Sequence, residues 1–165
     1  MTSTPKFNTP FPGGNAVRVS AQITTEWNGF HFYATIHRDD DAGSPEDNID
    51  GFWPSLDRTA PGWIGDNPAE SYEVQKAECE AVMARYRAGK MIYCGVAVYV
   101  CKGGHVLTGP YENALWGVDI NWPHGDNAYL VDVANELLPE ALAQARKAIE
   151  AKVASAQATI AALTA

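Results

Sequence analysis

Two runs of alternating polarity around Asn28-Gly29 constrain this chain most. Val17, Val19, Ala21 and Ile23 alternate with Arg18, Ser20, Gln22 and Thr24. A period of two places one set on a buried sheet face and the other toward solvent. After the Asn-Gly pair, Phe30, Phe32, Ala34 and Ile36 alternate with His31, Tyr33, Thr35 and His37. Asn-Gly suits the positive-φ positions of a type I′ turn, whose twist matches that of the strands it joins. The pattern predicts an antiparallel hairpin with one apolar face that needs a cover.

The rest of the chain supplies that cover and more strand. Met91 to Cys101 is rich in Val and Tyr and reads as a central strand, followed by a turn at Lys102-Gly103-Gly104. His105 to Ile120 reads as the returning strand, broken near Gly109-Pro110 because proline cannot donate to a ladder, with Ala114 to Ile120 the better half. A helix is predicted from Pro68 to Ala88 on the stripe Val74, Ala77, Ala81, Ala84 and Ala88, with Gly89 placed to end it. Asp126 reads as the N-cap of a second helix whose apolar stripe runs from Tyr129 to Ile149, with a kink or restart at Pro139. Beyond it, Ile149, Val153, Ala156, Ile160 and Leu163 step by four and three, a heptad-like seam that points to a homodimer through the C-terminal helix. Trp116 reads as a residue closing the core under a helix.

The order is ββαββα. It predicts an α+β fold: a four-stranded antiparallel sheet, helices packed on one face, and a long loop between the second strand and the first helix. The expected organisation is an extended arm over 1–16, a single α+β domain over 17–148 and a C-terminal helical extension over 149–165. At 165 residues and 46% hydrophobic, the chain is long enough for a self-sufficient core.

Charge is concentrated rather than spread. From Asp39 to Glu80 there are twelve acids against two bases, a local charge of −10, whereas the whole chain carries −8. Such a field repels nucleic acid directly and attracts basic protein surfaces or cations. No apolar run approaches the ~18 residues of a membrane span, and Met1 to Phe11 lacks the apolar stretch of a secretory signal. Cys79, Cys94 and Cys101 are odd in number and lack metal-type spacing. They read as reduced thiols in a cytoplasmic protein.

Residues 38–68 are the candidate site. A loop of about 30 residues inside a compact domain is functional or disordered, and Phe52, Trp53 and Trp63 argue for a packed one. The carboxylates Asp39, Asp40, Asp41, Glu46, Asp47 and Asp50, with Trp53 and Trp63 as anchors, form a candidate surface for a partner that presents Lys and Arg. The same carboxylates could hold a hard cation, but no D-x-[DN]-x-[DN]-G register fits. His31 and His37 are about 20 Å apart along a strand and cannot share an ion. No Ser or Cys stands beside a His and an acid locally, so no catalytic residue, metal ligand or cofactor is assigned.

Three segments carry a resemblance: Ala114-Leu115-Trp116-Gly117-Val118, Asp126-Asn127-Ala128-Tyr129-Leu130 and Val133 to Leu142. With Arg38-Asp39-Asp40-Asp41 and Asp50-Gly51, they resemble a family of small proteins of bacteriophages and bacterial mobile elements that has no assigned activity. The likeness spans about half of the chain and implies a habitat. In that habitat small acidic proteins act as inhibitors of host defence. The functional expectation is therefore an anti-CRISPR or anti-restriction factor that binds a basic host protein in the cytoplasm of the host cell. A metal-assisted hydrolase using the Asp39–Asp50 carboxylates and a non-catalytic structural oligomer are the alternatives.

Overall fold

The computed structural model describes residues 4–66 and 69–164. The chain forms an α+β fold on an antiparallel sheet. Strands β1 (Gln22–Trp27) and β2 (Phe30–Arg38) pair with Trp27 opposite Phe30. Asn28 at φ 50° and Gly29 at φ 73° complete the two-residue turn. β1 starts at Gln22, later than the alternation implies. Ser20 takes φ 69° and interrupts the regular ladder, so Val17 is buried while Val19 is 41% exposed.

β3 (Ile92–Lys102) is central, and two strands share its far edge: β4 (His105–Val106) and β5 (Ala114–Ile120). The expected returning strand is thus split at Gly109-Pro110. Substitute acceptors keep β3 satisfied through the gap: Thr108 Oγ1 takes the Val100 N–H at 3.0 Å and the Asn113 carbonyl takes that of Val98 at 2.8 Å. The expected loop contains a one-turn helix, α1 (Pro45–Asn48). Pro45 stands first, where no N–H is needed, and Ser44 and Asp47 cap each other's backbone reciprocally. The order is therefore ββααβββα rather than ββαββα.

α2 (Ala69–Arg87) ends in a Schellman motif. Gly89, at φ 63°, donates to the Tyr86 carbonyl and Lys90 donates to that of Arg85. The helix has the expected length and the opposite orientation. Ala77, Ala81, Ala84 and Ala88 face solvent, while Val82 and Met83 are buried. The larger side chains win because burial energy grows with apolar area, and alanines offer little. α2 does not lie on the sheet face. It packs at the sheet's end against Met91, Tyr93, Phe52 and Trp122, and Arg85 Nε donates to the Asn121 carbonyl at 3.1 Å.

α3 (Leu130–Thr164) is the helix that covers the apolar face. Leu130, Ala134, Leu138, Ala141, Leu142 and Ala145 meet a floor that includes Phe32, Ile36, Val96, Val98 and Val100. Asp126 does not cap it. Its Oδ1 accepts from the Ala128 N–H and the helix starts a turn later. Pro139 removes one backbone donor, yet the helix runs through it as a single element. Residues 151–164 are exposed throughout.

The arm belongs to this core. Phe7 and Phe11 are 1% and 4% exposed, and Asn135 on α3 accepts the Phe7 N–H at 2.8 Å and donates to its carbonyl at 3.1 Å. Buried Asn121 clamps both backbone groups of Val17 at 2.8 Å. Asn127 holds Asn121 in turn and reaches the Gly14 carbonyl. No helix among the described residues is long and apolar enough to cross a membrane.

Candidate functional site

The sheet face opposite α3 is floored by aromatic side chains. Tyr33 and Tyr99 pair across β2 and β3 and stack at 4.8 Å, with ring planes 7° apart. His37 stands opposite Gly95 and meets the Tyr111 ring edge-on at 5.0 Å. Trp116 completes the group, 6.1 Å from Tyr111.

A β-bulge puts Trp116 there. Cys94 pairs with Val118 and Val96 with Leu115, so Trp116 and Gly117 together oppose Gly95. Bulges redirect side chains in this way. The Trp116 ring then lies flat on the Gly95 backbone, where an added Cβ would come within 2.5 Å of Cε3. Trp116 is 44% exposed on this face and does not close the core. The bulge also takes Gly117, at φ 74°, out of the ladder, and Asp39 Oδ2 accepts its freed N–H at 2.9 Å.

That bond fixes the start of the acidic segment to the sheet edge and makes one wall of a cleft of about 850 Å³. Its walls are Arg38 to Ala42, Asn48 and Ile49 on one side, and Tyr93, Trp116, Gly117 and Asp119 on the other. Cavities that hold small ligands or side chains fall in this size range. Four carboxylates and one guanidinium line it. Asp40 is paired with Arg38 at 2.9 Å and Asp39 is engaged by Gly117. The side-chain carboxylates of Asp41 and Asp119 remain without a hydrogen bond to any described residue. Tyr93 is 7% exposed, and its hydroxyl is buried without a hydrogen bond of accepted geometry. Burial pushes its ionisation upward, the nearby Asn48 side chain pulls it partway back, and Asp119 and Tyr86 add to the rise.

The remaining predicted residues lie around α1. Glu46, Asp47, Asp50 and Trp53 border a second, shallower hollow of about 460 Å³. Much of that acidity organises the segment itself. Glu46 Oε2 accepts from Trp53 Nε1 at 2.9 Å. Asp47 is held below the usual carboxylate range first by the Ser44 hydroxyl and then by the Ser44 N–H. Asp57 is lowered too, first by the Thr59 N–H and then by the Thr59 hydroxyl. Trp63 stands apart from both hollows, 5.7 Å from the Arg58 guanidinium, which is ion-paired to Asp66. The structure therefore gathers Asp39, Asp40 and Asp41 at one cleft and Glu46, Asp47, Asp50 and Trp53 at another.

Among the described residues, no three His, Cys, Asp or Glu side chains converge as a metal site would require. Cys94 faces the core, and burial, with Asp119 and Asp39 adding, pushes its thiol up to about 12. Cys101 faces the other way, and all three cysteines are free.

Sequence reasoning weighed Trp116, beside Asp119, as a pocket residue but placed it in the core, and it left Tyr93 and Gly117 out of the site. Two signals pointed to this site. Gly95 inside an otherwise large-residue strand marks a close approach, and Gly117 inside a short strand marks a bulge. No protein-family model, no curated protein and no solved structure matches the chain.

Proposed function

We propose that this protein acts by binding another protein, as an accessory factor of a bacteriophage or mobile element. In this reading it occupies a basic surface of a host nucleic-acid-handling defence complex, in the manner of an anti-CRISPR or anti-restriction factor. The supporting observation is the tethering of the acidic segment. Asp39 holds its start to the bulge at Gly117, and the Ser44–Asp47 box and the Glu46–Trp53 bond stiffen residues 44–53. Carboxylates on a preorganised segment lose less freedom on binding than carboxylates on a mobile one. A fixed array of negative charge steers a basic partner and competes with phosphate for its lysines and arginines.

The choice of variant depends on which carboxylates are structural. Asp39, Glu46 and Asp47 hold the segment together, so replacing them would confound folding with binding. Asp41→Asn with Asp50→Asn leaves those bonds in place. Immobilised protein should retain a basic host protein from bacterial lysate at about 50 mM salt and release it at about 500 mM, as a screened interaction must. The double variant should retain at least about fivefold less while its thermal midpoint is unchanged. Equal retention by the variant would overturn the role of this surface.

A further inference from the structure

We propose that the cleft between the acidic segment and the β5 bulge receives a guanidinium group, with Trp116 as its stacking wall and Asp41 and Asp119 as its acceptors. This rests on the binding role above and names the group that is recognised.

Four features carry it. The cleft is acidic, and the two carboxylates left without hydrogen bonds, Asp41 and Asp119, belong to opposite walls. A planar cation with five N–H donors can bridge two such walls, whereas an ammonium presents a compact charge. Trp116 is exposed, and its ring is fixed flat by the absence of a side chain at Gly95. A rigid indole face is the surface on which a guanidinium stacks most favourably. Tyr93 lines the same cleft, and its buried hydroxyl makes no hydrogen bond of normal geometry, feeling the pull of the nearby Asn48 side chain. Buried polar groups are normally satisfied, and an incoming N–H would supply what this one lacks. Finally, the Asp39–Gly117 bond keeps the two walls at a fixed separation, so the cavity is formed before anything enters.

A guanidinium can arrive as an arginine side chain of a protein or as free arginine. Free arginine must also seat a carboxylate beside its α-ammonium at a rim whose one guanidinium, Arg38, is already paired to Asp40, so the geometry favours the protein-borne form.

The experiment is a titration of the full chain followed by the Trp116 indole N–H resonance, assigned by its loss in Trp116→Phe. The probes are N-acetyl-arginine amide, N-acetyl-lysine amide and free L-arginine, at about 20 mM salt. The arginine amide should bind with a dissociation constant of about 1–10 mM. The lysine amide and free arginine should bind at least about fivefold more weakly. Asp119→Asn, read at the Trp116 indole, and Trp116→Ala, read at the Gly117 backbone amide resonance, should each weaken the arginine amide about five- to tenfold while the thermal midpoint holds. The inference is overturned if the arginine amide leaves the Trp116 resonance unmoved at about 50 mM, if the lysine amide binds equally well, or if neither variant alters binding. If free arginine binds as tightly as the amide, the protein-borne source is overturned. If the amide binds but no basic protein is retained from lysate, the guanidinium site stands and the larger functional reading fails. If retention survives in Asp119→Asn and Trp116→Ala, the reading stands and this site is not its contact.

Discussion

Gly95 shows how one missing side chain can organise a surface. Trp116 lies on it, Tyr111 leans on Trp116, and His37 meets Tyr111. Gly95→Ala should lift the indole, lower stability by about 1–3 kcal/mol in chemical denaturation, and remove binding of the arginine amide. A variant as stable as the parent would show that the ring has room to shift. His37 in the same group offers a pH test. Desolvation by burial lowers its pKa from 6.5, so the folded chain takes up its proton less readily than the unfolded chain does. The unfolded state then binds more protons as pH falls through 6.5, and stability declines from that point downward. His37→Gln lacks this penalty. Between about pH 7.5 and 5.5 its thermal midpoint should fall less than the parent's, and parallel falls would clear His37 of responsibility.

Elements set by neighbouring residues were legible in the sequence. The Asn28-Gly29 hairpin, the Gly103-Gly104 turn, the central strand and the span of α2 obey short-range rules. Features set by pairing between distant segments were not legible. Whether Trp116 points to the core or away from it depends on a register shift against β3, which no residue near Trp116 encodes alone. The face that α2 buries escapes its periodicity for a related reason. The alanine stripe has the right period, but Val82, Met83 and Tyr86 have the area, and only the docked partner decides between them. The one-turn α1 lies within a segment whose composition reads as loop, although its Ser44-Pro45-Glu46-Asp47 start is a capping signal. α3 makes a cleaner test. Its residues 151–164 bury nothing in the described chain. Truncation after Glu150 should move the thermal midpoint by less than about 2 °C. A larger fall would show that the exposed seam at Val153, Ile160 and Leu163 is covered in solution, as a dimer through that helix would require.

Across the molecule, work is divided between the two faces of one sheet. α3 and the arm seal one face with aliphatic side chains, and the other carries aromatic rings beside a band of carboxylates. The fold class and the acidic band were readable from alternation and composition. The cleft was not, because its walls come from residues 38–49 and 93–119, brought together only by the finished sheet. The arm has a further consequence. Phe7 is tied to Asn135 across 128 residues, and Val17 to Asn121 across 104. Synthesis delivers Phe7 and Val17 long before the asparagines that will hold them. Until α3 leaves the ribosome, the nascent chain has two aromatic plugs without a socket, so this side of the core can close only after that helix has emerged.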